Sequence, residues 1–253
     1  MVGIWTMLAI AAAGFAAGAV NTIVGSGSLI SYPVMVLMGV PPVSANIANT
    51  VGLVPGSVAG ALGYRRQLPP MPRRRLLSLM AASVAGAIVG AWLLTVLPES
   101  AFRVIVPFLI LLATVLVAFQ KRISALAHMD SGDRWAPLLI TVFLAGIYGG
   151  YFSAAQGVIL LGVLGLFLKG SIQGHNAVKN ILQAIVNAVA ALFFISTTSV
   201  DWLAAGLIAG GSILGALGGA WIGTRIPQQG LRRFVIVFGF AMAVVMGVQA
   251  LHS

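Results

Sequence analysis

Ten apolar segments alternate with short polar or glycine- and proline-bearing joints along the chain: 3–20, 29–39, 43–63, 76–97, 104–119, 137–152, 158–168, 172–195, 203–222 and 234–251. A straight helix needs roughly 20 residues to cross about 30 Å of hydrocarbon. Segments 29–39 and 158–168 are too short for that, and each follows a polar break that contains glycine. They lie at matching places in the two halves of the chain, so the pattern predicts a pair of broken or re-entrant half-helices.

In the first copy, Asn21, Thr22, Gly25, Ser26, Gly27 and Ser28 interrupt the apolar run, Pro41 and Pro42 close the short segment, and a helix is expected to start at Ser44 as its N-cap. In the second copy, Ser153, Gln156 and Gly157 belong to the break, and a helix starts near Ile172. A shift of 130 residues matches Gly27 with Gly157, Asn46 with Asn176, Thr50 with Asn180 and Ser57 with Asn187. Asn176, Asn180, Gln183 and Asn187 are spaced 4, 3 and 4, which places four amides on one helical face. Asn46, Thr50 and Ser57 occupy the same stripe of the earlier helix, with Leu53 in the place of Gln183. A slip of one or two residues pairs Asn49 with Asn180 instead, so neighbouring registers stay open. Hydrocarbon gives no reward for such a stripe unless it meets protein or water; it serves either inter-helix hydrogen bonds or a ligand.

Composition turns the pattern into a class. The chain has 253 residues, 60% hydrophobic and 7% charged, with a mean hydropathy of +1.06. Soluble domains carry about a quarter charged residues, so too few charges are present here to cover a water-facing surface. The expected fold is an all-α polytopic membrane protein, multi-pass in the bacterial cytoplasmic (inner) membrane, with the lipid bilayer as its surroundings. The 31 glycines include Gly86, Gly90, Gly206, Gly210, Gly215 and Gly219 at four- or five-residue spacings, as close helix packing requires.

The net charge of +10 is distributed by loop: Arg65, Arg66, Arg73, Arg74 and Arg75; Lys121, Arg122 and Arg134; Arg225, Arg232 and Arg233. Basic loops between apolar runs follow the positive-inside bias, which argues against a nucleic-acid partner. With 64–75, 120–136 and 223–233 in the cytoplasm, 98–103 and 196–202 face out. If every segment crosses, five segments separate the two copies, an odd number, and the halves are inverted in the membrane. If the short segments were re-entrant, 223–233 would fall opposite the other basic loops. The expected organisation is therefore two inverted-topology repeats of about five segments each, 1–119 and 137–253, around a cytoplasmic linker at 120–136. The apolar N-terminus lacks a positive leader and reads as a retained first span.

Chemistry is sparse. There is no cysteine, and the four carboxylates, Glu99, Asp130, Asp133 and Asp201, lie in loops or at segment ends. Nothing suggests an enzyme, a metal site or a cofactor, and an acidic cation site has no obvious residues. His175 and Lys179 are neighbours on the polar helix. Lys179 is either an interfacial lysine or a fixed positive charge beside an anion path. The 25–28 stretch, Gly-Ser-Gly-Ser, is neither a Walker loop nor a dinucleotide fingerprint. It can instead expose backbone N–H groups at the start of a half-helix, where anions bind, or simply permit a tight turn.

The run 14–66, with its glycine-rich break, Pro33, Asn49-Thr50 and Pro55-Gly56-Ser57, resembles the first repeat of the sulfite exporter TauE/SafE family of membrane transporters. The stretch 174–194, with Lys179-Asn180 and Asn187, resembles the second. The resemblance implies a secondary transporter, and an exporter, of small sulfur-containing anions such as sulfite or organosulfonates, with a coupling proton or ion. Its site would lie between the repeats, formed by Asn21, Ser26, Gly27, Ser28, Asn46, Asn49, Thr50 and Ser57 from one half and Ser153, Gln156, Gly157, His175, Asn176, Lys179, Asn180, Gln183 and Asn187 from the other. A passive anion channel or facilitator is the alternative.

Overall fold

The computed structural model describes residues 3–129, 134–223 and 229–252. Asp130, Asp133 and Arg225 lie outside the described residues. Ten α-helices follow one another: α1 Ile4–Ile23, α2 Ser28–Leu37, α3 Pro42–Gly63, α4 Arg73–Val96, α5 Glu99–Met129, α6 Trp135–Tyr151, α7 Gln156–Phe167, α8 Ile172–Thr197, α9 Trp202–Gly223 and α10 Gln229–His252. One short 3-10 turn, Arg65–Gln67, follows α3, and no strand occurs among the described residues.

Six helices contain a stretch long and apolar enough to cross a bilayer: those of α1, α4, α5, α8, α9 and α10. α3 is as long, but Asn46, Asn49, Thr50 and Ser57 dilute its apolar character. The polarity of the whole molecule is reversed relative to a soluble protein. Trp5, Phe15, Phe108, Leu214 and Val237 are exposed, while Asn21, Asn49, Gln156, Lys179 and Asn187 are buried. Lipid is the solvent that tolerates the first group, and protein must satisfy the second.

Several boundaries differ from the apolar runs. α1 continues through Asn21 and Thr22 to Ile23, so these two residues form its last turn instead of opening the break; Val24 N–H still donates to Val20 O. α3 starts at Pro42 and not at a Ser44 cap, because proline at a first helical position lacks an N–H that would go unpaired there. α8 begins as expected after Ser171, whose hydroxyl accepts from Gly174 N–H at 3.1 Å. Arg73, Arg74 and Arg75 belong to the first turn of α4, and Arg75 lies over the Trp135 ring, 5.0 Å from its centre. Arg232 and Arg233 belong to α10. α5 extends beyond 104–119 at both ends, so Glu99 and Arg103 form an exposed helical ion pair at 2.9 Å, and the expected linker is helical as far as Met129.

Helix pairing exchanges partners between the halves. α1 packs on α9 and α6 on α4; α3 packs on α9 and α8 on α4; α2 meets α10 and α7 meets α5; α3 and α8, and α5 and α10, pair with each other. Glycine lets the closest pairs approach. Gly86 and Gly90 of α4 lie against the α6 backbone, and Gly215 and Gly219 of α9 against the α1 backbone near Phe15 and Ala19. Gly206 and Gly210 do not take part as expected: they are exposed on the outer stripe of α9, and Gly211 stands at the α1 contact instead.

Candidate functional site

The two breaks meet. Residues Val24–Gly27 separate α1 from α2, and Phe152–Ala155 separate α6 from α7. Gly157 N–H, in the first turn of α7, donates to Gly25 O at 3.0 Å, and the hydroxyls of Ser28 and Ser153 are 2.8 Å apart. The contact is backbone on backbone, and an added Cβ on Gly25 would stand 2.5 Å from Gly157 Cα. Glycine is needed at both positions for space. Gly27 has a different neighbour: a Cβ there would meet Ala17 O and Asn21 Cβ.

α8 lays its amide stripe across the end of α1. Lys179 Nζ donates to Asn21 O at 3.0 Å and Thr22 O at 3.2 Å. Asn180 and Asn176 reach Thr22 O through their Nδ2 atoms at 3.4 and 3.5 Å. Gln183 Nε2 donates to Asn21 Oδ1 at 2.8 Å, and the same oxygen accepts from Gly27 N–H at 3.3 Å. The last carbonyls of a helix have no intrahelical donors and carry partial negative charge, so an ammonium and two amides are a fitting cover. Lys179 is wholly buried and points into the bundle, which overturns its reading as an interfacial lysine. The described carboxylates are committed elsewhere: Glu99 pairs with Arg103, and Asp201 caps α9 through Ala204 N–H at 3.0 Å. The ammonium has carbonyl partners and no ion pair among the described residues.

α3 makes the corresponding contact with the other half. Asn46 Nδ2 donates to Tyr151 O, at the end of α6, at 2.9 Å. Asn49 donates to Ser28 Oγ at 3.0 Å and accepts from Ser31 Oγ. Thr50 turns its hydroxyl back to Asn46 O at 2.9 Å, within its own helix. Asn187 Nδ2 donates to Ser57 Oγ at 2.9 Å, joining the two residues that the 130-residue shift matches. His175 Nε2 lies 2.9 Å from Leu168 O and ties α8 to the end of α7.

The breaks and both polar helices thus form one connected buried region, and every candidate from the sequence lies in it. His175 stands at its edge. Thr22 O, Ser31 and Tyr151 O also belong to the network. A backbone acceptor carries no sequence signal, and Ser31 is a single hydroxyl three residues beyond Ser28 in an apolar run. Several buried polar atoms remain without a protein partner: Ser26 Oγ, both amide atoms of Gln156, and the side-chain oxygens of Asn46, Asn176, Gln183 and Asn187. Buried polar groups ordinarily find partners, so these atoms call for water or a ligand.

The region combines one positive charge, side-chain amides and hydroxyls, and two half-helix starts in surroundings that exclude bulk water. Among the described residues there is no group of metal-ligating side chains.

The sequence profile described as "Sulfite exporter TauE/SafE" matches residues 10–246. A protein of Sinorhizobium sp. named "Probable membrane transporter protein ORF9" is 26% identical over 236 residues, 92% of this chain and 88% of the relative. A "Probable membrane transporter protein" of Haemophilus influenzae is 25% identical over 251 residues, 97% of this chain and 96% of the relative. The "Probable membrane transporter protein YfcA" of Escherichia coli K12 is 23% identical over 231 residues, covering 90% and 84%. No solved structure matches the chain. A profile match over nearly the whole length, on a multi-pass helical membrane protein with a buried polar centre, makes the chain a member of the sulfite exporter TauE/SafE family of membrane transporters.

Proposed function

We propose that this protein is a secondary transporter that exports small sulfur-containing anions, sulfite or organosulfonates, across the bacterial cytoplasmic membrane. The site is the buried region between the halves. One observation carries the reading: Lys179 places a fully buried amino group among amides, against carbonyls and with no carboxylate beside it among the described residues. A buried charge without a counter-charge is costly, and an anion supplies one. The family description supplies the sulfur chemistry. The partner exchange between helices supports a two-fold repeat, because the main pairings come in matched sets, and the odd number of segments between the two copies favours inversion. Transporters of that architecture bind near mid-membrane where the repeats meet.

The test is ligand-dependent melting of the purified protein with sulfite, thiosulfate, sulfate and taurine. A specific anion at one hundred times its Kd adds about 2.7 kcal/mol of stability. Asn180→Leu should abolish that gain while leaving the ligand-free melting temperature nearly unchanged, since its bond to Thr22 O is long. A flat response to every anion overturns the reading. Orientation is tested with cysteines introduced into the cysteine-free chain. An impermeant maleimide should label Ser199→Cys from outside and spare Pro70→Cys; the reverse pattern overturns the orientation, and external labelling of both overturns the inverted arrangement.

A further inference from the structure

The unpartnered atoms are unequal in kind. Along the stripes, the amide nitrogens are spent: Asn46 Nδ2 on Tyr151 O, Asn176 Nδ2 on Thr22 O, Gln183 Nε2 on Asn21 Oδ1. For Asn46 and Gln183 the acceptor fixes which end of the amide is which. Tyr151 offers a backbone carbonyl, and Asn21 Oδ1 is itself fixed as an oxygen by accepting Gly27 N–H. Flipping Asn46 or Gln183 would set oxygen against oxygen. Asn46 Oδ1 and Gln183 Oε1 are therefore acceptors, and both lack a donor, whereas the Asn176 amide also meets the Tyr64 side chain. Gln183 Oε1 lies at the second break, 3.0 Å from where a Cβ on Gly157 would stand. Gln156, next in the chain to Gly157, is buried with both amide ends unused.

A fully deprotonated oxyanion brings only acceptors. It could accept from Lys179 or Gln156, but it would leave Gln183 Oε1 unsatisfied and repelled. A site with a surplus of oriented acceptors beside one positive charge suits a ligand that is both anionic and a hydrogen-bond donor. Building on the anion reading above, we infer that the substrate is a monoanion bearing an O–H or N–H group, which it donates to Gln183 Oε1 at the second break. Hydroxylated or still-protonated sulfur oxyanions fit this description, and dianions do not.

The experiment compares two monoanions of nearly equal size, hydroxymethanesulfonate and methanesulfonate, by calorimetric titration of the purified full-length protein at pH 6, with sulfite alongside. A site built to receive a donor rejects an analogue lacking it, and the hydroxylated sulfonate should bind at least tenfold more tightly. Gln183→Leu should reduce that ratio to about one. Should the variant fail to fold, the ratio for the native chain decides the matter alone. Equal affinities, as expected if bridging water satisfies the oxygens, overturn the donor requirement and leave the anion reading standing. Should sulfite bind and neither sulfonate, its pH dependence decides: an affinity that does not fall as hydrogen sulfite loses its proton at alkaline pH overturns the donor requirement, and one that falls upholds it. A ratio that survives Gln183→Leu overturns the assignment to this residue. Silence toward every anion overturns both readings.

Discussion

The first break turns at Gly25, with φ +86°, where no side chain opposes left-handed backbone. The second makes its turn at Ser153, φ 52°, and Ala155, φ 58°, which both carry a Cβ. Each such residue costs roughly 1–2 kcal/mol relative to a right-handed conformation. The strained side is not idle, because the Ser153 hydroxyl meets Ser28 across the interface. Turn geometry here follows from what the opposing break demands. Gly25 and Gly157 stand where the two backbones touch, and Gly27 where the first break touches α1.

Exchanging small residues between the breaks should therefore have opposite effects. Gly25→Ala adds strain of about 1–3 kcal/mol from φ alone and drives a methyl into Gly157, so little folded protein should survive detergent extraction. Ala155→Gly relieves strain and should raise stability by about 1 kcal/mol, read as a higher melting temperature. If both substitutions destabilise equally, the breaks are not the contrasting pair described.

α3 and α8 sharpen the comparison. The 130-residue shift sets Asn49 against Lys179, a neutral amide against a charge. Asn49→Leu strands Ser31, leaves Ser28 with Ser153 alone, and should cost about 1–3 kcal/mol, while the melting response to an anion persists. Lys179→Met should remove that response, whatever it does to ligand-free stability. The smallest effect belongs to the shared contact: a Ser57→Ala and Asn187→Leu double-mutant cycle should give a coupling of about 0.6 kcal/mol, the usual size inside membranes.

The spans were legible because lipid imposes length and apolarity on them. The ends were less so. Asn21 and Thr22 read as a break, yet they remain helical because α8 covers their carbonyls. Residues 120–129 read as linker, since a helix running past the hydrocarbon needs no apolar period. The amide stripes were visible from spacing alone, but their targets were not. That Lys179 would seek the end of α1 depends on two segments more than 150 residues apart coming together, which no local pattern records. Periodicity likewise could not say which glycines of α9 face a helix and which face lipid; Gly206 and Gly210 face outward.

The pairing of α1 with α9 bears on biosynthesis. α1 leaves the ribosome before the other described helices, and Gly14 and Gly18 cut a groove in it that fits the backbone of α9 around Ile208 and Ser212. Its proper neighbour is translated only after the seven helices α2 to α8. Until then α1 must wait in lipid with its groove open and the carbonyls of its last turn uncovered, because Lys179 also arrives late. The nascent first half is thus an unfinished surface rather than a folded unit, and closure of the molecule comes near the end of synthesis.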